Sequence, residues 1–193
     1  MIDTHARGYF KRLFILISRL FLSLHLKPIH ITSCSLIIGI IGAFCFFIGY
    51  HFTSLALLWV SGLMDVIDGE MARLSDQSSQ KGALLDIFFD RIVEISYILA
   101  FIGTATTESL LVLSVTIILS MTVFLTVGAM SDKHSKKAFY YQAGLIERTE
   151  AFMLFSLMII FANYSTYIAY IFAFLILITI FQRLKEALSI LEN

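Results

Sequence analysis

The chain has 193 residues, of which 59% are hydrophobic, 15% are charged and one is proline. That composition is too apolar for a soluble domain of ordinary make-up and places the chain in a membrane. Fourteen basic residues balance fourteen acidic ones, so bulk charge argues against a nucleic-acid partner. The two cysteines, Cys34 and Cys45, share one apolar segment and have no companion at metal-ligand spacing.

Taken in order, Ile2 to Leu26 reads as an amphipathic helix. Phe10, Phe14, Ile17, Phe21 and Leu24 recur at three and four, while Arg7, Lys11, Arg12 and Arg19 occupy other faces. Its basic face suits anionic headgroups at the membrane surface, and its apolar face suits packing on other helices. The basic residues interrupt the first apolar run, and no small-residue cleavage pattern follows it, so the segment is not expected to be a signal peptide. Lys27-Pro28 ends the helix.

Six spanning segments follow, at about Ile31–Tyr50, Ser54–Leu74, Gly82–Thr104, Ser109–Met130, Glu150–Ala162 and Thr166–Leu188, the fifth with a possible start at Ile146. Thr32 or Ser33 is placed to cap the first. Ser35, Gly39 and Ala43 form a stripe of small residues along it, on which another helix packs closely, within the subunit or across a dimer. With no repeat and no low-complexity linker, the chain reads as one all-α membrane domain over 1–193. It consists of a surface helix over 1–27 and a six-helix bundle over 31–188. The connections at Gly49–Thr53, Thr104–Glu108 and Asn163–Thr166 contain no Lys or Arg, which puts both termini in the cytoplasm.

The second and third spans carry a cluster of aspartates. Asp65 and Asp68 are three apart and Asp86 and Asp90 four apart, so each pair shares a helix face. The link LSDQSSQK is long enough only to turn one helix back on the other, and the four carboxylates therefore face one another across a hairpin in the cytoplasmic half of the membrane. A charge near the bilayer centre costs about 2.5–3.5 kcal/mol even on lenient scales, and facing carboxylates repel. A divalent cation resolves both problems. All-oxygen ligands without Cys or His favour Mg²⁺ or Mn²⁺ over zinc.

The pattern D-x2-D-G-x2-A-R-x8-G-x3-D-x3-D, formed by Asp65, Asp68, Gly69, Ala72, Arg73, Gly82, Asp86 and Asp90, resembles the signature of the CDP-alcohol phosphatidyltransferases. The resemblance implies attack of an alcohol on the phosphorus of a CDP-linked lipid such as CDP-diacylglycerol, with CMP leaving, in phospholipid synthesis. It assigns metal binding to Asp65, Asp68 and Asp86, with Asp90 as a further ligand or the general base, and implies two ions and a homodimer. It also places Gly69, Ala72, Arg73 and Gly82 around the CDP group. The two glycines let a nucleotide approach the backbone closely, and the arginine offers a bidentate phosphate contact.

Outside this motif, the segment GLIERTE (144–150) resembles the part of phosphatidylinositol-phosphate synthases that carries an acceptor-phosphate arginine, here Arg148. The same resemblance assigns Arg183 and a lysine such as Lys133 to the acceptor, although SDKHSKKAF departs from that subfamily's basic tract. Glu94 continues the acidic spacing by one turn and reads as a packing acid with a partner, and Arg91 as a partner for an acid near the site. The competing reading is an intramembrane divalent-cation transporter, since buried carboxylates also mark ion pathways. It leaves Gly69, Ala72, Arg73 and Gly82 without a role.

Overall fold

The computed structural model describes residues 2–76, 79–131 and 144–191. Among them are seven α-helices: α1 (Ile2–Ser23), α2 (Pro28–Phe47), α3 (His51–Leu74), α4 (Gln80–Ala100), α5 (Thr107–Ser131), α6 (Arg148–Ile160) and α7 (Ser165–Leu191). A single 3₁₀ turn, Ala162–Tyr164, joins the last two. The hydrophobic periodicity located every helix to within a few residues.

The start of α2 differs from expectation. Pro28 is its first residue, and Thr32 and Ser33 lie a turn inside, where their hydroxyls donate to the Pro28 and Ile29 carbonyls at 3.1 and 2.9 Å. Proline lacks the N–H that a first turn leaves unpaired, and its fixed φ is already helical.

Helices α2, α3 and α5, together with α7 and the 3₁₀ turn before it, are long and apolar enough to cross a membrane. The remaining two bundle helices carry polar residues or are short. Helix α4 contains Lys81, Asp86, Asp90, Arg91 and Glu94, and α6 has 13 residues. At 1.5 Å per residue α6 covers about 20 Å of a hydrocarbon core of roughly 30 Å. The protein is an integral membrane protein, and charged side chains of its bundle fall on the spanning helices α3 and α7 as well as on the more polar or shorter α4 and α6.

Helix α2 packs on α3 and α4, α5 on α7, and α6 between α3 and α7. Around the centre, Leu58, Tyr97, Phe101, Phe155 and Phe172 are buried, with Phe155 edge-on to Phe172 at 5.3 Å between ring centres. Several polar groups inside are paired between helices, as a medium without water favours. Ser35 and Ser61 exchange hydroxyl-to-carbonyl hydrogen bonds of 2.8 and 2.9 Å between α2 and α3, and the Tyr97 hydroxyl donates to the Ser54 carbonyl at 3.1 Å. The small-residue stripe of α2 is thus used inside the subunit. A Cβ on Gly39 would lie 2.6 Å from Val93 Cγ2 of α4.

Helix α1 does two things at once. Phe14, Ile17 and Phe21 pack with Ile31, Ile67 and Met71, and the Ser18 hydroxyl donates to the Ile67 carbonyl at 3.2 Å. Its other side, with Arg12, Leu13, Leu16, Arg19 and Leu20, is exposed. The packed side braces α3 directly beside Asp68.

Candidate active site

Helices α3 and α4 both pack on α2 and bring their carboxylates together. Asp65, Asp68 and Asp86 each present a carboxylate oxygen, and the three oxygens lie within 4.8 Å of one another. The Asp65 and Asp86 carboxyls lie side by side, and Thr32 of α2 is close to Asp68. Among the described residues, Asp68 Oδ2 and Asp86 Oδ1 are buried with no hydrogen-bond partner. Buried carboxylate oxygens without donors are costly. A hard divalent cation satisfies them with the ligand type it prefers, so the residues present fit such an ion.

Asp90 lies one turn beyond Asp86 and outside this three-carboxylate group. Its Oδ1 accepts a 2.6 Å hydrogen bond from Arg148 Nη2, while Arg148 Nη1 pairs with Asp65 Oδ2. One guanidinium thus joins α3 and α4 from the first residue of α6. The sequence placed Arg148 at the acceptor; its bridge to Asp65 and Asp90 is an addition that only the fold reveals.

Arg148 is held there by the segment before it. Ile146 N–H donates to Thr179 Oγ1 at 2.9 Å and Leu145 N–H to Gln182 Oε1 at 2.8 Å, which pins the segment to α7. Gly144 permits the approach, since a Cβ on it would fall 2.3 Å from Thr179 Cγ2. Arg183 follows Thr179 by one turn on the same face of α7. It is buried, donates to Ser120 Oγ of α5 at 3.0 Å, and lies over the Phe124 ring at 5.2 Å.

Asp90, Arg91, Glu94, Ser120, Arg148 and Arg183 line a single cavity of about 210 Å³ bounded by α4, α5, α6 and α7. The two arginines that the sequence assigned to the acceptor therefore share a chamber with the candidate base. Arg91 and Glu94 form an ion pair, as expected of both, and in addition border this chamber. Ser120 was not singled out in the sequence, where nothing distinguishes it from other serines of α5. Lys133 lies outside the described residues.

The remaining motif residues sit at the hairpin end. Arg73 is half exposed and pairs with Glu70 at 2.5 Å. Gly69 adjoins it, and a Cβ there would meet only the Arg73 guanidinium, at 3.5 and 3.9 Å. Ala72 is partly exposed, and Gly82 N–H donates to Ser79 Oγ at 3.0 Å, which caps α4.

An acidic helical hairpin facing a cavity with two arginines, set in an apolar bundle, defines a membrane enzyme that handles phosphorylated substrates with a divalent cation. The chain belongs to the CDP-alcohol phosphatidyltransferase family, whose model matches residues 25–181, and is an enzyme of phospholipid biosynthesis of that class. It is 28% identical over 218 residues to the inner membrane protein YnjF of Escherichia coli K12, covering 100% of this chain and 98% of that one. Its fold is similar to that of the Mycobacterium tuberculosis phosphatidylinositol phosphate synthase PgsA1 with CDP-DAG bound. The TM-score is 0.73 at 23% identity, over 91% of this chain and 94% of that one. A second PgsA1 structure, in complex with manganese and citrate, gives 0.73 at 22% identity, over 91% and 89% of the two chains.

Proposed function

We propose that the protein moves the phosphatidyl group of a CDP-linked lipid, CDP-diacylglycerol in the first instance, to the hydroxyl of an alcohol that itself carries a phosphate. CMP is released. The observation that carries this reading is the cavity holding Asp90, Arg148 and Arg183 together beside the carboxylates of Asp65, Asp68 and Asp86. Two arginines in one chamber of about 210 Å³ suit a small phosphorylated polyol such as glycerol phosphate or inositol phosphate, because guanidinium groups meet phosphate oxygens in bidentate fashion.

In this reading Asp65, Asp68 and Asp86, with Asp90 at their edge, hold Mg²⁺ or Mn²⁺. Such an ion, when bound there, would supply neutralising charge to the diphosphate and the leaving CMP. Gly69 and Ala72 keep the α3 surface low enough for the nucleotide, Gly82 does the same on α4, and Arg73 exchanges Glu70 for a phosphate oxygen. Asp90 takes the proton of the acceptor hydroxyl as its oxygen bonds to the lipid's phosphorus. The bond from that phosphorus to the bridging oxygen breaks, and the electron pair leaves with CMP. Arg148 and Arg183 fix the acceptor phosphate, with Lys133 as a further contact. The six spans are completed by α4 and α6, the site opens to the cytoplasm where a cytidine nucleotide is available, and the active unit is a homodimer.

The test is incubation of the purified protein with CDP-diacylglycerol, Mg²⁺ or Mn²⁺ and matched acceptors, glycerol against glycerol phosphate and inositol against inositol phosphate, with products read by mass spectrometry. Transfer to the phosphorylated member of a pair is expected. Equal turnover of serine or another acceptor without a phosphate refutes the acceptor assignment.

A further inference from the structure

We propose that Glu94, with Arg91 beside it, binds a hydroxyl of the acceptor other than the one that reacts, so that the acceptor is a phosphorylated polyol and not simply a phosphorylated alcohol. The inference rests on the phosphate-bearing acceptor of the preceding subsection and narrows its class. Glu94 and Arg91 line the same cavity of about 210 Å³ as Arg148 and Arg183, yet neither takes part in the transfer itself. Asp90, Glu94 and Glu147 put three carboxyl groups on the wall of a chamber that is to hold a phosphate. Asp90 serves the reacting hydroxyl. Glu147 stands at the N-terminus of α6, where a carboxylate complements the helix dipole. Glu94 has neither reason, and it lies one turn beyond Asp90, about 6 Å further along α4 at 1.5 Å per residue.

An extra carboxylate weakens a chamber meant for phosphate alone, because like charges repel. Glu94 Oε2 pairs with Arg91 Nη1, which balances its charge without explaining its presence. A buried ion pair contributes little net stability once desolvation is counted, and apolar side chains suit a membrane bundle better. The pair is also incomplete. Among the described residues, Arg91 Nε is buried with no hydrogen-bond partner. A hydroxyl both donates and accepts, so it matches a carboxylate and a guanidinium side by side, whereas a phosphate matches only the guanidinium and an ammonium only the carboxylate. Because Arg91 already balances Glu94, a neutral donor is favoured there over a second cation. The acceptor is then held at three points: its reacting hydroxyl at Asp90, its phosphate at Arg148 and Arg183, and a further hydroxyl at Glu94 and Arg91.

The experiment compares kcat/KM for glycerol phosphate and inositol phosphate with that for 2-hydroxyethyl phosphate, which carries a phosphate and a single hydroxyl. CDP-diacylglycerol and Mg²⁺ are held saturating. Wild type should favour at least one polyol phosphate by about ten- to a hundredfold, the range expected of a hydrogen bond to a charged group. Glu94→Gln should lose most of that advantage, with 2-hydroxyethyl phosphate little affected. The double variant Arg91→Met/Glu94→Met removes the pair without leaving an unpaired charge and should lose the advantage entirely. An unchanged KM for CDP-diacylglycerol and manganese binding followed by electron paramagnetic resonance verify that both variants keep a folded donor site. Equal fractional loss on all three acceptors in folded variants makes Glu94 the counterion of Arg91 and overturns the proposal. So does a polyol preference that survives in both variants, or a wild type that uses 2-hydroxyethyl phosphate as well as either polyol phosphate. Transfer by wild type only to acceptors without a phosphate, or to none, overturns the preceding subsection's acceptor and this inference with it, whereas indifference among phosphorylated acceptors overturns this inference alone.

Discussion

Substitution of Gly69 by alanine separates the needs of the fold from those of the substrate. A mid-helix glycine is less favourable than alanine by about 1 kcal/mol, so the helix alone favours the change. Neighbouring groups do not oppose it. The added Cβ would lie 3.5 Å from Arg73 Nη1 and 3.9 Å from Nη2, ordinary contact with the mobile end of a long side chain. At Gly62 the same addition would come within 2.6 Å of the Phe152 ring, and at Gly42 within 2.4 Å of the Tyr97 hydroxyl. Gly69 is therefore a glycine that packing does not require, and the proposed reason for it is close approach of the CDP group. Gly69→Ala should raise the thermal midpoint in detergent while raising the KM for CDP-diacylglycerol by about tenfold or more, equivalent to roughly 1.4 kcal/mol of lost contact. The paired assays are a melting curve and steady-state CMP release at varied lipid. An unchanged KM with a raised midpoint would refute the nucleotide role of Gly69. A lowered midpoint would show that α3 packs there after all.

Asp90→Asn should abolish turnover while leaving manganese-dependent binding of CDP-lipid largely intact, whereas Asp68→Asn should weaken manganese binding and activity together. Unchanged manganese titration in Asp68→Asn would contradict its assignment as a ligand. Gly144→Ala would drive a Cβ to 2.3 Å from Thr179 Cγ2. Overpacking of this kind costs about 1–3 kcal/mol, so the midpoint should fall, and the acceptor KM should rise because the segment that aims Arg148 is displaced. Equal acceptor KM in that variant would mean that the Ile146–Thr179 anchor does not position Arg148. Single cysteines near Thr53, Thr107 and Ser165 should react with an impermeant reagent from outside, and ones near Gln77 and Ser135 only after the membrane is opened. External reaction at Gln77 would invert the topology and place the site on the wrong side.

The acidic hairpin was legible in the sequence because charge in an apolar segment is rare and two short spacings fix which side chains share a face. Asp65 and Asp68 meet Asp86 as expected, while the fourth carboxylate, Asp90, lies outside the group and pairs with Arg148. The partner of Asp90 was not legible. Arg148 is 58 residues away, and its reach to Asp90 depends on how α6 threads between α3 and α7, which no local pattern encodes. The same holds for Ser120, 63 residues from the arginine it contacts. The start of α2 was misplaced for a different reason. Thr32 and Ser33 have the chemistry of caps, but hydroxyls inside a helix also satisfy themselves on the preceding turn, and Pro28 had already set the first position. Residue periodicity found α6 and read it as a fifth span, although its 13 residues are too few to count among the helices long enough to cross a membrane.

One measurement tests the chemistry of the carboxylate cluster most directly. Purified protein in detergent is given CDP-diacylglycerol and glycerol phosphate or inositol phosphate, and CMP is quantified with and without Mn²⁺ or Mg²⁺. The predicted result is CMP formed in equal amount with a new phosphatidyl product, dependent on the added ion, and absent in Asp90→Asn. CMP formation that is indifferent to the ion and to Asp90, or no CMP from any CDP-linked lipid in folded protein, would contradict it.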